Sequence, residues 1–174
     1  MKRANLLIVL LSMMIFGCGG ANSGTNQFGN SMRIIGFFTD NTGATGLSGL
    51  VTSLSDGPYE AAVGVQNNIT GSGTVTDPGL YIKITSIRVD YRAPSNSPAI
   101  PSREYPVSLS IEPDGKGYIE FFILPSDIIQ YINDHRSSFP ETPFQMNATV
   151  TVFGVTSAGN GITDTAAFFF EIGE

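Results

Sequence analysis

The sequence predicts an all-β chain folded as an antiparallel β-sandwich, and three observations predict it. Short runs of Val, Ile, Thr, Tyr and Phe are punctuated by 20 glycines and 10 prolines, while charged residues make up only 14%. That mixture favours strands and turns over helices. Apolar residues recur with the period of a strand far more often than with that of a helix. Turn signals separate the runs at hairpin spacing. A chain of 174 residues has room for one domain with one hydrophobic core.

The elements follow in order. Tyr59, Ala61, Val63, Val65 and Ile69 alternate with Glu60, Gly64, Gln66 and Asn68, so one face of this strand goes inward. Leu80, Ile82 and Ile84 share one phase while Ile87, Val89 and Tyr91 occupy the other. The change of phase predicts a β-bulge near Thr85-Ser86. Tyr105, Val107, Leu109 and Ile111 alternate with polar residues, and Glu112-Pro113-Asp114-Gly115 then predicts a hairpin with the run from Tyr118 to Leu124. Pro125-Ser126-Asp127 supplies a capping serine and an acidic first turn. Behind it Ile128, Ile129, Tyr131 and Ile132 form a stripe, which predicts one short helix near 127–135. The last two strands flank Ser157-Ala158-Gly159-Asn160-Gly161 in a register that sets Ala148 opposite Phe170, Val150 opposite Phe168 and Val152 opposite Ala166.

That closing segment, Ala148 to Gly161 followed by Phe168 to Ile172, resembles the last two strands of bacterial immunoglobulin-like or fibronectin type III-like modules. The resemblance implies an immunoglobulin-like sandwich, without the antibody-type Cys, Trp, Cys arrangement, since Trp is absent and Cys occurs once.

The N-terminus carries a different signal. Met1-Lys2-Arg3 is positive, and Leu6 to Phe16 is an apolar run interrupted only by Ser12. Spanning a bilayer takes about 20 apolar residues, so this run fits the core of a signal peptide instead. It ends in Ile15-Phe16-Gly17-Cys18, which resembles the bacterial lipobox; Phe16 is bulkier than that pattern usually holds. The resemblance implies cleavage before Cys18, lipid on its sulfur, and a membrane partner reached through that lipid. Gly19 stands where the family's inner-membrane retention signal is typically Asp, which implies the outer membrane in a diderm bacterium. Gly19 to Ser31, rich in Gly, Asn and Ser, reads as a flexible tether with a root-mean-square reach of about 20 Å. The expected division is a leader over 1–17, lipidated cysteine and tether over 18–32, and a folded domain over 33–174.

Composition narrows the chemistry. Removing 1–17 leaves seven basic residues against fifteen acidic ones, a formal charge of -8. Such a surface repels phosphate backbones, which argues against nucleic-acid binding. His135, the only histidine, lies at the end of the expected helix, where it complements the helix dipole. No Gly-x-Ser-x-Gly elbow accompanies it. With Cys18 acylated, no His and Cys set remains for a transition metal or haem, so neither a metal nor a cofactor is expected. Asp40-Asn41-Thr42 and Asp114-Gly115 offer oxygen ligands that calcium could use but lack the regularly spaced acids of an EF-hand-type loop, which favours plain hairpin solubility, and Gly43-Ala44-Thr45-Gly46 and Gly71-Ser72-Gly73 read as turns. Glu104, Glu112 and Glu120, expected on neighbouring strands, read as solvated outward carboxylates.

Two features point to binding. The register turns Phe153 and Phe169 outward, and Phe122 opposes the inward set Ile119, Phe121 and Ile123. Exposed aromatics on a sheet make a partner surface, although the helix at 127–135 is expected to pack over them. Arg92 to Arg103 is a proline-stiffened loop with an arginine at each end, suited to recognition or to a plain strand crossover. Together these readings predict no enzyme but a lipid-anchored interaction or structural module that recruits an envelope protein. A carbohydrate-binding module using its tyrosines is the alternative, weakened by the lack of Trp. A hydrolase using paired carboxylates comes third.

Overall fold

In a computed structural model, residues 29–69 and 80–173 are described. Eight strands form two sheets. One sheet holds β1 (Asn30–Phe38), β3 (Tyr59–Ile69) and β6 (Lys116–Leu124) in the order β1-β3-β6. The other holds β2 (Leu50–Ser53), β4 (Ile82–Arg92), β5 (Arg103–Ile111), β7 (Phe144–Thr156) and β8 (Gly161–Gly173) in the order β2-β8-β7-β4-β5. All pairings are antiparallel except that of β2 on the end of β8. This is an all-β sandwich of a three-stranded and a five-stranded sheet with a single short α-helix among the described residues. β1 opens at Asn30, inside the stretch read as tether.

The period-two residues explain why the sheets face each other. Val63 and Val65 of β3, Ile84 and Ile87 of β4, Ile123 of β6 and Val150 and Val152 of β7 are fully buried in one core. Each such side chain contributes about 1.5–3 kcal/mol on leaving water. The helix α1 (Ser126–Asp134) adds Ile128 and Ile132 to the same core at the end where β6 stops. Its expected serine cap is not formed: Pro125 occupies the cap position, its carbonyl accepts from the Ile128 and Ile129 amides, and Ser126 is already helical. The bulge expected near Thr85 is present, with the register slipping between Ile84 and Ser86 against both β5 and β7.

Two expected strand pairings are also corrected. The hairpin expected over 105–124 is a corner between sheets: β5 pairs with β4, and β6 pairs with β3. The turn itself forms, with the Gly115 amide on the Glu112 carbonyl at 2.9 Å. Pro106 lacks an amide hydrogen and sits on β5, the outer strand of its sheet, where proline is tolerated. The last hairpin is shifted by two residues, so that Ala148 faces Phe168, Val150 faces Ala166 and Phe153 faces Thr163. Gly159 has φ 82° and donates to Thr156. That left-handed position follows a turn centred on Ser157-Ala158, one residue earlier than the symmetric arrangement. A shift of two preserves the inward face.

Loop 39–46 folds back over the outer side of the three-stranded sheet. Phe38 meets Tyr118 edge-on at 5.1 Å, and Gly43, at φ 66°, packs so closely on Tyr118 that a Cβ there would run into the ring. Gly43→Val is therefore expected to lower stability by about 2 kcal/mol in urea unfolding, combining left-handed backbone strain with displacement of Tyr118.

Candidate interaction surface

The outer face of the five-stranded sheet is laid out in rows by its pairing. Arg92, Asn147 and Phe169 share one row, and Asp90, Thr149 and Ala167 share the next. Then come Glu104, Arg88, Thr151 and Thr165, followed by Pro106, Ser86, Phe153 and Thr163. The expected helix cover is absent here: α1 buries Ile128, Ile129 and Ile132 in the core, and Phe169 is 64% exposed. Its nine residues suit a plug at one end of the sandwich, not a cover for a broad face. Phe153 is half-buried.

The outward aromatics do not form one cluster. Phe153 and Phe169 are three rows apart, about 20 Å along the strands. Between them lie the threonines and the Arg88–Asp90 ion pair at 2.8 Å. Phe169 instead shares its surroundings with Arg92 and with Val51 of β2, which is registered with Glu171 and is 72% exposed.

Phe122, 40% exposed, belongs to the opposite sheet. With Pro58, Pro125, Ser126 and Asp127 it lines an open cavity of about 310 Å³. Arg103 lies nearby but is engaged in an ion pair with Asp127. The loop between β4 and β5 is likewise fastened: Ile100 is buried, and the Tyr131 hydroxyl donates to the Ala99 carbonyl at 3.0 Å. Its two arginines therefore separate, Arg92 onto the sheet face and Arg103 onto the helix.

Around this join Tyr91 and Tyr105 are held as phenols. Burial, then the charge of Tyr105, push the Tyr91 hydroxyl above its ordinary 10.0; burial, then Asp127, raise Tyr105. The Tyr91 hydroxyl is buried without a hydrogen-bond partner among the described residues. A raised folded value means stability is intact below pH 10.0 and declines as the pH climbs past it. Tyr91→Phe is expected to leave stability at neutral pH unchanged or slightly higher and to flatten the decline in alkaline unfolding curves.

The remaining candidates are dispersed. Glu104 is on β5 and Glu120 on β6 of the other sheet, where its carboxylate accepts from the Asn41 amide at 3.3 Å. His135 stacks on Tyr131 at 4.4 Å and its Nδ1 is 2.9 Å from the Tyr131 carbonyl. Asp40 is occupied by the Thr42 amide and hydroxyl, which hold its carboxyl below the ordinary range. Among the described residues no three His, Cys, Asp or Glu side chains are grouped to hold a metal ion. Tyr105 and Tyr131 bond to backbone carbonyls, Tyr118 lies under loop 39–46, and Tyr81, just ahead of β4, is 38% exposed. Cys18 and Gly71-Ser72-Gly73 lie outside the described residues.

Two residues that organise the molecule were missed in the sequence. Asn67 and Asp164 both fall in the inward phase of their strands. Fully buried, Asn67 donates from Nδ2 to the carbonyls of Leu80, Ile111 and Glu112 at 2.9, 3.1 and 3.2 Å. Asp164 accepts from the Ile34 amide at 2.6 Å, joining β8 to the edge of β1 across the seam between sheets. A polar residue where the alternation calls for an apolar one is the signal that finds both.

No protein-family model matches the chain, and no curated protein is similar to it.

Proposed function

We propose that the chain is a lipid-anchored lipoprotein of the cell envelope whose sandwich is a non-catalytic module that recruits an envelope protein. The recruiting surface in this reading is the Phe169 end of the five-stranded sheet, and one observation carries it. Phe169 and Val51, 64% and 72% exposed, project from a rigid sheet with Arg92 in the same row. Burying a large apolar side chain contributes about 1.5–3 kcal/mol, and aromatic and arginine side chains dominate binding energy where partners close over them. The anchor reading is supported by the leader and its lipobox-like ending at Cys18.

The test is photocrosslinking in intact cells, with a photoreactive residue at position 169 and a control at position 108 on the outer strand. A discrete protein adduct from 169, absent from 108 and diminished by Cys18→Ser, is expected. Equal labelling at the two positions, or none at 169, overturns the assignment of the surface. Retention of Cys18→Ser in the membrane fraction overturns the anchor.

A further inference from the structure

We infer that the end of the sandwich carrying Tyr81 rests on the lipid surface, its ring at headgroup level, while the α1 end is held away from the bilayer. The inference deepens the reading above and rests on Cys18 as the anchor. The place where the chain enters the domain is its first support. β1 begins at Asn30, and Asn30 Nδ2 donates to the Leu80 carbonyl at 2.9 Å. The residue that leads back to Cys18 is thus bonded to the peptide group just before Tyr81.

Tyr81 is 38% exposed and stands on a fixed base. The Leu80 carbonyl also accepts from Asn67 Nδ2 at 2.9 Å, and the Tyr81 carbonyl accepts from the Ser157 amide at 3.1 Å. An aromatic ring with one wet end is the kind of side chain that settles at a membrane interface. Glu112, Asp114 and Lys116 at the β5–β6 corner share this end and stay in headgroup water.

Lengths decide which end can reach the bilayer. The twelve residue steps from Cys18 to Asn30 span at most about 40 Å however the chain runs. β7 and β8 are thirteen residues each, also about 40 Å of strand. The α1 end touches the membrane only with the connecting chain at full stretch along the flank, whereas the Tyr81 end touches with none. Lying flat on the five-stranded face would desolvate exposed Lys83, Arg88, Arg92 and Glu104, which is costly. The formal charge of -8 after cleavage opposes close approach to anionic lipid, so the surface is a zwitterionic one.

The chain contains no Trp, so one introduced Trp is an unambiguous reporter. The experiment uses the acylated protein that begins at Cys18, in phosphatidylcholine vesicles containing lipid brominated near the headgroup, with Tyr81→Trp, Phe169→Trp and Tyr131→Trp compared. Quenching at position 81 at least about twofold stronger than at 169 and 131, with blue-shifted emission, is expected for a side chain at the interface. Equal quenching at the three positions, or the strongest at 169, overturns the orientation. Acrylamide protection of position 81 on adding vesicles gives a second readout on the same proteins, and circular dichroism confirms that each is folded. Mass analysis of the N-terminal peptide separates the two failures: an unacylated Cys18 defeats the anchor reading, and an acylated one with even quenching defeats only the orientation.

Discussion

Asn67→Leu is expected to lower stability by about 1–3 kcal/mol, because the buried Ile111 carbonyl loses its side-chain donor, while the Glu112 carbonyl keeps the Gly115 amide. The replacement keeps the branched shape and leaves no cavity, so the loss comes from the unmet hydrogen bond and from fitting a larger side chain into a filled site. Leu80 keeps a donor in Asn30, which is why its carbonyl adds little. Thermal unfolding should show a fall of about 5 °C for a domain of this size. The neighbouring Asn68 is on the other face of β3, so Asn68→Leu is expected to stay within about 0.5 kcal/mol. Equal effects at the two positions would mean that the corner is not held through Asn67. Its backbone amide also reaches the Gly115 carbonyl at 3.0 Å, so one residue joins β3 to the turn through which the chain changes sheets.

Adjacent phenylalanines on β8 give the second large contrast. Phe168 is buried against Phe37, ring centroids 5.2 Å apart, and stacks near Phe170 at 6.4 Å. Phe168→Ala is expected to cost about 3–5 kcal/mol, the sum of lost burial and the void left behind. Phe169→Ser, one residue on, is expected to change folding stability by about 0.5 kcal/mol or less and to remove the crosslinked partner. Urea unfolding of the two variants side by side checks this. A large loss for Phe169→Ser would make that ring part of the fold and withdraw it from recognition.

The faces of these strands were legible because burial on one side imposes a strict alternation, and the phase change at Thr85 was readable for the same reason. Which strand pairs with which was not. Val107, Leu109 and Ile111 present the same pattern whether β5 turns back on β6 or hands the chain to the opposite sheet. Only the pairing partners decide between these: β5 takes β4, the strand before it, and β6 takes β3, three strands back. The two-residue shift of the last hairpin has a similar origin: every register that keeps Phe168 and Phe170 inward satisfies the pattern, and the backbone demand of Gly159 selects among them. The outward aromatics were read correctly one by one. Their separation into a Phe169 end, a half-buried Phe153 and a Phe122 on the opposite sheet depends on that register and on the corner. Asn67 and Asp164 were available in the alternation as polar residues in apolar places, and their partners, 45 and 130 residues away, were not.

The path of β1 has a mechanical consequence. It enters beside Leu80, runs toward the α1 end and is hydrogen-bonded along its length to β3. A pull between the Cys18 side and a partner held at the α1 end acts along the strand axis. It therefore strains the β1–β3 bonds together instead of opening them one after another from an end. Failure under such a load is governed by the unfolding rate and not by the equilibrium stability. In the anchored arrangement proposed above, the first strand is thus loaded in shear, a geometry suited to staying folded under sudden tension.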